Sequence, residues 1–312
     1  MRGLLGRILN ARIFKSKYAV PMGYVVFFIL SLLVFIYATL PVDSIKERVR
    51  GELEAAVPYK VDIVSMDISP LLTVRLRGVE LSNGKDPGVT IERLDVAPKV
   101  SSLFASPLSL RLRARLFGGD ARGELGLDPS GTRIERASLR THGIDLGAAT
   151  RALSALTAKD GFPILEGTLE GEARVELAGS SAGEFSFSSP NFGIVDAHLL
   201  GRKLSQYKNL KTTLLGKIEG DALRITEAHL VGQGIDISVS GQMPVPWKLT
   251  PEGAIDLAIR LKTDDPKLAI LKSILTPKQD GSFGGRITGT WAKPRLEKAA
   301  SFDFRKTRGR TP

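Results

Sequence analysis

The side chains most capable of chemistry are scattered along this chain. Its three histidines, His142, His198 and His229, lie in unrelated local contexts, and no two stand four residues apart as they would on a metal-binding helix. Cysteine is absent, so there is no thiolate ligand, no cysteine nucleophile and no disulfide. We therefore expect neither a metal site nor a cofactor.

Two further patterns have simpler interpretations than catalysis. The glycine-rich segment Gly118 to Gly126 carries Arg and Glu where a phosphate-cradling turn needs close backbone approach, so it indicates a hairpin turn. Four carboxylates have the spacing of the solvent-facing side of one strand. They are Glu166, Glu170, Glu172 and Glu176. A catalytic pair would need a distant partner that the sequence does not identify, so we predict no catalytic residue and no enzyme activity.

The net charge of +11 is concentrated at the two ends of the chain. Residues 1–20 contain five basic residues and no acidic one, and residues 293–312 contain seven basic and two acidic residues. The long segment between them is therefore nearly neutral. Since phosphate contacts supply much of the affinity for DNA and RNA, we expect no nucleic-acid partner.

A membrane anchor is indicated by residues 21–40, a stretch without a charged side chain. A helix of this length spans about 30 Å, the thickness of a bilayer core. The stretch is longer than the apolar region of a cleaved signal peptide, and Ala38 to Pro41 is a poor match to a signal-peptidase cleavage site. The basic segment 1–20 should stay in the cytoplasm. We predict a single-pass protein of the bacterial inner membrane with a periplasmic domain at 42–304 and a basic tail at 305–312.

Three short helices are predicted beyond the anchor, at 42–56, 146–157 and 266–275. Asp43 or Ser44 is expected to cap the first, and Asp145 the second. Their apolar stripes are Ile45, Val49 and Leu53 in the first, and Leu146, Ala149, Leu153 and Leu156 in the second.

The rest of the chain alternates apolar and polar residues, which is typical of strands with one buried face. Residues 108–116 and 121–127 form the clearest pair, joined by a turn at 118–120. At least ten such segments follow one another with glycine-bearing connections. A single, mainly β, antiparallel domain is therefore predicted. If it is divided into two parts, the boundary is expected near residues 142–165.

Three passages in order suggest a relationship to a known family. They are Val61 to Leu81 (VDIVSMDISPLLTVRLRGVEL), Leu165 to Glu172 (LEGTLEGE) and Gly284 to Glu297 (GGRITGTWAKPRLE). With the anchor and short helix before them, the chain resembles the AsmA-like superfamily and, within it, the GspN family of type II secretion proteins. The resemblance implies an elongated, curved antiparallel β-sheet with an apolar concave face, attached to the inner membrane and without catalytic residues.

Two functions follow from this resemblance. The first is an accessory, non-enzymatic role in the type II protein secretion system, in which the periplasmic domain meets other secretion subunits. The second is lipid handling or envelope biogenesis, in which an apolar groove shields a phospholipid or another lipid ligand. The groove would be lined by Leu110, Leu112, Val175, Leu177, Ile237 and Leu257.

The same apolar face has an alternative explanation as a closed core, packed against the helices at 146–157 and 266–275 or against a second sheet. Alternation alone cannot separate a groove from a core. The basic tail likewise has two interpretations, contact with anionic headgroups of inner-membrane lipids or a solvated end.

Overall fold

The computed structural model describes residues 41–57, 59–69, 72–84, 87–102, 108–157, 163–179, 181–199, 202–203, 206–245, 253–290 and 294–298, with six isolated positions between 24 and 39. Apart from those six, the predicted anchor at 21–40 lies outside the described residues, as do segment 1–20 and tail 305–312. In the part that is described, no helix is long and apolar enough to cross a bilayer.

Among the described residues, the fold is dominated by one antiparallel sheet of sixteen strands, with a separate two-stranded hairpin formed by the tenth and eleventh strands. This confirms the prediction of a mainly β, antiparallel domain. In chain order the strands are β1 (Lys60–Ile68), β2 (Val74–Ser82), β3 (Pro87–Pro98), β4 (Ser109–Leu116), β5 (Gly119–Leu127), β6 (Ile134–Asp145), β7 (Ile164–Glu166), β8 (Thr168–Glu176), β9 (Ala182–Asp196), β10 (His198–Leu199), β11 (Arg202–Lys203), β12 (Tyr207–Glu219), β13 (Ala222–Gly232), β14 (Ile235–Pro244), β15 (Asp256–Thr263), β16 (Thr276–Pro277), β17 (Phe283–Gly289) and β18 (Pro294–Lys298).

Neighbours in the chain are almost always neighbours in the sheet. The order runs from β1 to β6 and continues through β8, β9, β12, β13, β14, β15 and β17, while β7 pairs with β9 and both β16 and β18 pair with β17. Strand β6 pairs directly with β8, so the sheet is continuous across residues 142–165.

In the described part of the chain after residue 40, three helices accompany the sheet, as predicted: α1 (Val42–Ala56), α2 (Leu146–Thr157) and α3 (Ala269–Ile274), the last preceded by a 3-10 turn at Pro266–Leu268. The Asp145 carboxylate caps α2 by accepting the Ala148 N–H at 3.0 Å. The predicted caps of α1 are wrong. That helix follows Pro41 without a side-chain cap, and Asp43 lies in its first turn.

The apolar stripes of the helices are also shifted from those predicted. Val42, Ile45 and Val49 of α1 pack on β1 and β2, while Leu53 is partly exposed. In α2, Leu156 is buried but Leu153 is 43% exposed, and the polar Thr150 is buried in its place. Burial of Thr150 is possible because its hydroxyl donates to Leu146 O and accepts the Leu165 N–H.

Candidate functional site: the apolar face of the sheet

One face of the sheet carries an unbroken row of apolar residues from β1 to β18. Residues that pair directly across neighbouring strands lie on the same face, so the register identifies the row. Its members, here called the first apolar row, are Ile68, Val74, Val96, Leu112, Gly123, Leu139, Ala173, Phe185, Gly216, Ile225, Gly241, Leu257, Ile287 and Leu296.

A second apolar row lies two residues away on the same face of nine strands. Its members are Pro98, Leu110, Leu125, Ala137, Val175, Gly183, Ile218, Leu223 and Met243. The two rows together define what we call the apolar face. Since residues two apart in a strand are separated by about 7 Å, the pair of rows is wide enough to hold one extended hydrocarbon chain.

The six predicted groove residues fall on this face. Leu112 and Leu257 belong to the first row, and Leu110 and Val175 to the second. Ile237 stands four residues before Gly241 on the regular strand β14 and therefore shares its face. Leu177 lies one residue beyond β8, where its N–H donates to Glu135 O and continues the ladder.

The six residues do not form one compact pocket. Eight strand-to-strand steps separate Leu112 from Leu257, which is about 38 Å along the sheet. Between them Phe185 and Ile218 are buried with Val245 in a core cluster. Ile237 packs against another cluster, built from β12, β14, β15 and residues next to α3. Leu110, Leu112, Val175 and Leu177 therefore lie apart from Ile237 and Leu257.

The apolar face is covered at the two ends of the sheet. Near β1, the stripe of α1 closes over Val61, Ile63 and Met66. Near β15, Leu268, Leu271 and Leu275, in and beside α3, close over Leu261. The closed core that the sequence suggested is thus found against α3, whereas near β1 the cover is α1 and not the predicted helix at 146–157.

The face is more open in the middle, on β4, β5, β6 and β8, which we call the central stretch. In the described part of the chain, the only large apolar side chain buried on these four strands is Ile144, near the end of β6. Leu110, Leu112, Leu125 and Val175 are half-buried, and Leu139 is 44% exposed. An aliphatic sheet face of this kind normally packs against another element.

Leu139 is the most exposed leucine of the central stretch and was not among the predicted groove residues. Its strand, β6, has a weak pattern in which Ala137 and Thr141 flank Leu139. Only the register shows its role, because Leu139 pairs with Gly123 on one side and Ala173 on the other. These small neighbours leave its side chain standing above the face.

The opposite face is charged and is held together by ion pairs across strands. The predicted carboxylates on β8 each meet a base on β6: Glu170 with His142 at 3.3 Å, Glu172 with Arg140 at 2.8 Å, and Glu176 with Arg136 at 3.6 Å. The hydrogen bond from Arg140 and the charge of Arg174 lower the pKa of Glu172. These carboxylates serve as partners of basic side chains. Glu166 lies apart from them on β7.

The histidines remain separate from one another. His229 Nε2 lies 2.8 Å from Asp236 Oδ1 across β13 and β14, whereas His142 pairs with Glu170 and His198 lies on β10. Among the residues that the structure describes, no group of three or more His, Asp or Glu side chains is arranged to hold a metal ion.

Comparison with known proteins provides no relative on which to base an assignment. No protein-family model, no curated protein and no solved structure matches this chain.

Proposed function

We propose that this chain is a membrane-anchored, non-enzymatic protein that binds lipid acyl chains on the central stretch of its apolar face. The observation that supports this most is the exposure of Leu139 within an apolar row that neighbouring strands continue on both sides. Each methylene removed from water contributes about 0.8 kcal/mol, so a chain lying along the two rows would be held firmly.

The shape of the apolar face fits an extended ligand. Its rows run across the strands, so an acyl chain lying along them crosses β4, β5, β6 and β8 over about 14 Å. Glycine and alanine at positions 123, 137 and 173 lower the floor between the larger side chains of Leu112, Leu139 and Val175. The resemblance to AsmA-like proteins, with an elongated and curved sheet, agrees with such a groove.

The anchor and its orientation belong to the same proposal. An uncharged stretch at 21–40 after five basic residues supports a single-pass helix with a cytoplasmic N-terminus. The chain has no cysteine, so single cysteines can report topology directly. A membrane-impermeant maleimide added to spheroplasts should label Ser130→Cys at once, and Asn10→Cys only after lysis. The reverse pattern, or labelling of both before lysis, would contradict the orientation.

Lipid binding is tested by measuring the transfer of a phospholipid between vesicles. The full chain is reconstituted in donor vesicles, and movement of a fluorescent phospholipid to acceptor vesicles is followed. Leu139→Asp should reduce the protein-dependent rate at least tenfold, because a carboxylate would lie in the path of the hydrocarbon. The matched control is Leu215→Asp, which changes an exposed leucine on the charged face and should leave the rate unchanged. Equal rates for both variants would reject the proposal.

The role in type II secretion stays a prediction from the resemblance. It is tested by comparing the proteins released by a parent strain and by a strain that lacks this gene, with and without a plasmid copy. Selective loss of released enzymes, restored by the plasmid, would support this role. Normal release together with altered envelope lipids would favour lipid handling.

A further inference from the structure

The charged face of the central stretch carries an ordered array of arginines. Two cross-strand rows run over β4, β5, β6 and β8 on the side opposite the apolar face. One row is Arg113, Arg122, Arg140 and Glu172, and the other is Arg111, Glu124, Ser138 and Arg174. We call the five arginines of these rows the arginine array.

Three arginines of the first row are direct neighbours. Arg113 pairs with Arg122 across β4 and β5, and Arg122 pairs with Arg140 across β5 and β6. Like charges directly opposite each other destabilise a sheet, by up to about 1 kcal/mol for each pair. A bound anion would relieve this repulsion wherever an arginine lacks a carboxylate partner.

The carboxylates nearby are already engaged by other bases. Asp95 lies opposite Arg113 in the register but accepts hydrogen bonds from Arg75 at 3.0 Å and Arg93 at 2.9 Å. Partial burial raises the pKa of Asp95, yet the bonds from these two arginines outweigh it and hold that pKa below its usual value. Asp95 is therefore an anion fully committed to its two partners.

The two carboxylates inside the array are shared as well. Glu124 lies 3.4 Å from Lys99 and 3.6 Å from Arg111, and Glu172 lies within 3.5 Å of both Arg140 and Arg174. Within the described ranges of the chain, Arg113 and Arg122 have no acidic side chain within 4.0 Å. Arg113 and Arg122 are thus neighbours in the register, and neither has a carboxylate partner among the described residues.

The two rows border an open cavity of about 320 Å³. Ser138 has the smallest side chain of the two rows and lies between Glu124 and Arg174 in the second row, which leaves room above β6. The cavity is large enough for a small organic anion and is lined by all five arginines of the array, together with Glu124 and Glu172.

We propose that the arginine array binds a phosphate-bearing anion. Guanidinium groups bind phosphate oxygens in pairs, and three neighbouring strands space them over about 10 Å, which suits two linked phosphate groups. The site lies on the face opposite the apolar rows and does not depend on lipid binding there. Its ligand is either a free phosphorylated compound or a phosphorylated lipid headgroup.

The test measures thermal unfolding of the full chain in nanodiscs of phosphatidylcholine, with pyrophosphate as the probe. Saturating pyrophosphate should raise the Tm of the unmodified chain by about 2–4 °C, because a ligand that binds only the folded state stabilises it. Arg122→Gln should raise the Tm without the probe, because it removes the repulsion, and should abolish the shift with the probe.

The control is Arg224→Gln on the charged face of β13, where Arg224 lies 3.8 Å from Glu219. It should keep the full pyrophosphate shift. An equal shift in Arg122→Gln, or an equal shift of the unmodified chain by NaCl at the same ionic strength, would overturn the proposal.

The source of the phosphate is separated by adding phosphatidic acid to the nanodiscs. A lipid headgroup as ligand predicts that phosphatidic acid alone raises the Tm and removes the pyrophosphate shift. A free phosphorylated compound predicts that the pyrophosphate shift remains. Both ligands would bind through Arg122, so neither phosphatidic acid nor pyrophosphate should raise the Tm of the Arg122→Gln chain.

Discussion

Leu139 of β6 and Leu215 of β12 are similarly exposed, at 44% and 38%, but lie on opposite faces of the same sheet. Leu139 pairs with Gly123 and Ala173 in the first apolar row, whereas Leu215 pairs with Ser186 and Glu227 among polar residues. The same side chain is therefore part of a continuous apolar surface at one position and an isolated apolar residue at the other.

This relationship predicts the stability of two aspartate variants. If the central stretch is open, Leu139→Asp places its charge in water and lowers the free energy of unfolding by no more than about 1 kcal/mol, as expected for an exposed strand position. Leu215→Asp should lower the free energy of unfolding by a similarly small amount. Urea unfolding of the full chain measures both. A loss of several kcal/mol in Leu139→Asp alone would show that Leu139 is covered, as a closed core requires.

Phe185 of β9 and Gly216 of β12 pair directly, and the phenylalanine ring lies over the glycine. A methyl group on Gly216 would overlap Cζ of Phe185 and the carbonyl oxygen of Arg224. We expect Gly216→Ala to lower the free energy of unfolding by about 2–3 kcal/mol, since this buried region cannot expand freely. Gly126→Ala is the control, because its nearest atom would be Cβ of Arg136 at an ordinary 3.5 Å. A similar decrease in the free energy of unfolding in both variants would contradict this packing.

The Tyr207 hydroxyl donates a hydrogen bond to Asp265 Oδ2 at 2.8 Å. Burial, and then the bond to this carboxylate, raise the pKa of Tyr207 to about 12, whereas an unfolded tyrosine titrates near 10. A raised pKa stabilises the fold fully below about 10, and this contribution is lost as the pH rises towards about 12.

Tyr207→Phe should therefore lower the free energy of unfolding by about 1–2 kcal/mol at pH 7. The difference from the unmodified chain should stay constant up to pH 9 and shrink above about 10. Denaturant unfolding across this pH range measures it. A difference that grows with pH would contradict the assigned hydrogen bond.

In the described part of the chain β1 is an edge strand of the sheet, and helix α1 protects that edge. Glu54 accepts the Val61 N–H at 3.1 Å, and Lys46 donates to Val64 O at 3.2 Å. Glu54→Ala should lower the free energy of unfolding by about 1 kcal/mol and promote self-association, because an unpaired strand edge can pair with another chain. Glu52→Ala, on the same helix, is the control. Light scattering that is unchanged in Glu54→Ala relative to this control would argue against edge protection.

The sequence predicted the helices well because their signals are local. The bounds of α1 and α2 were predicted from apolar residues three or four apart, and Asp145 was correctly predicted to cap α2. The turn between β4 and β5 was displaced by one residue. It is formed by Phe117 and Gly118, both with positive φ, and phenylalanine is not a residue that signals this conformation.

Strands β3 and β6 lack clear alternation in their own sequences, for different physical reasons. In β3 the apolar positions change phase between Ile91 and Leu94, next to a shift in the pairing with β4, so strict alternation is broken. In β6 small and polar residues stand at positions that face the apolar rows. Both strands owe their place to neighbours on each side, which a local pattern does not contain.

The faces of the sheet could be predicted from alternation, but what covers them could not. Leu110 and Leu112 were assigned correctly to the apolar face. Closure near α1 and α3 and exposure of the central stretch depend on which helix reaches which strand. The arginine array also could not be predicted from local sequence, since Arg113, Arg122 and Arg140 become neighbours only through the register of three strands.

The most direct test of the lipid-binding face is photo-crosslinking in living cells. A photoreactive amino acid is placed at Leu139 or, as the control, at Leu215, and the purified chain is examined by mass spectrometry after irradiation. We predict covalent lipid adducts at position 139 and few or none at 215. Equal adducts at both positions, or a crosslink from 139 only to protein, would contradict lipid binding on the apolar face.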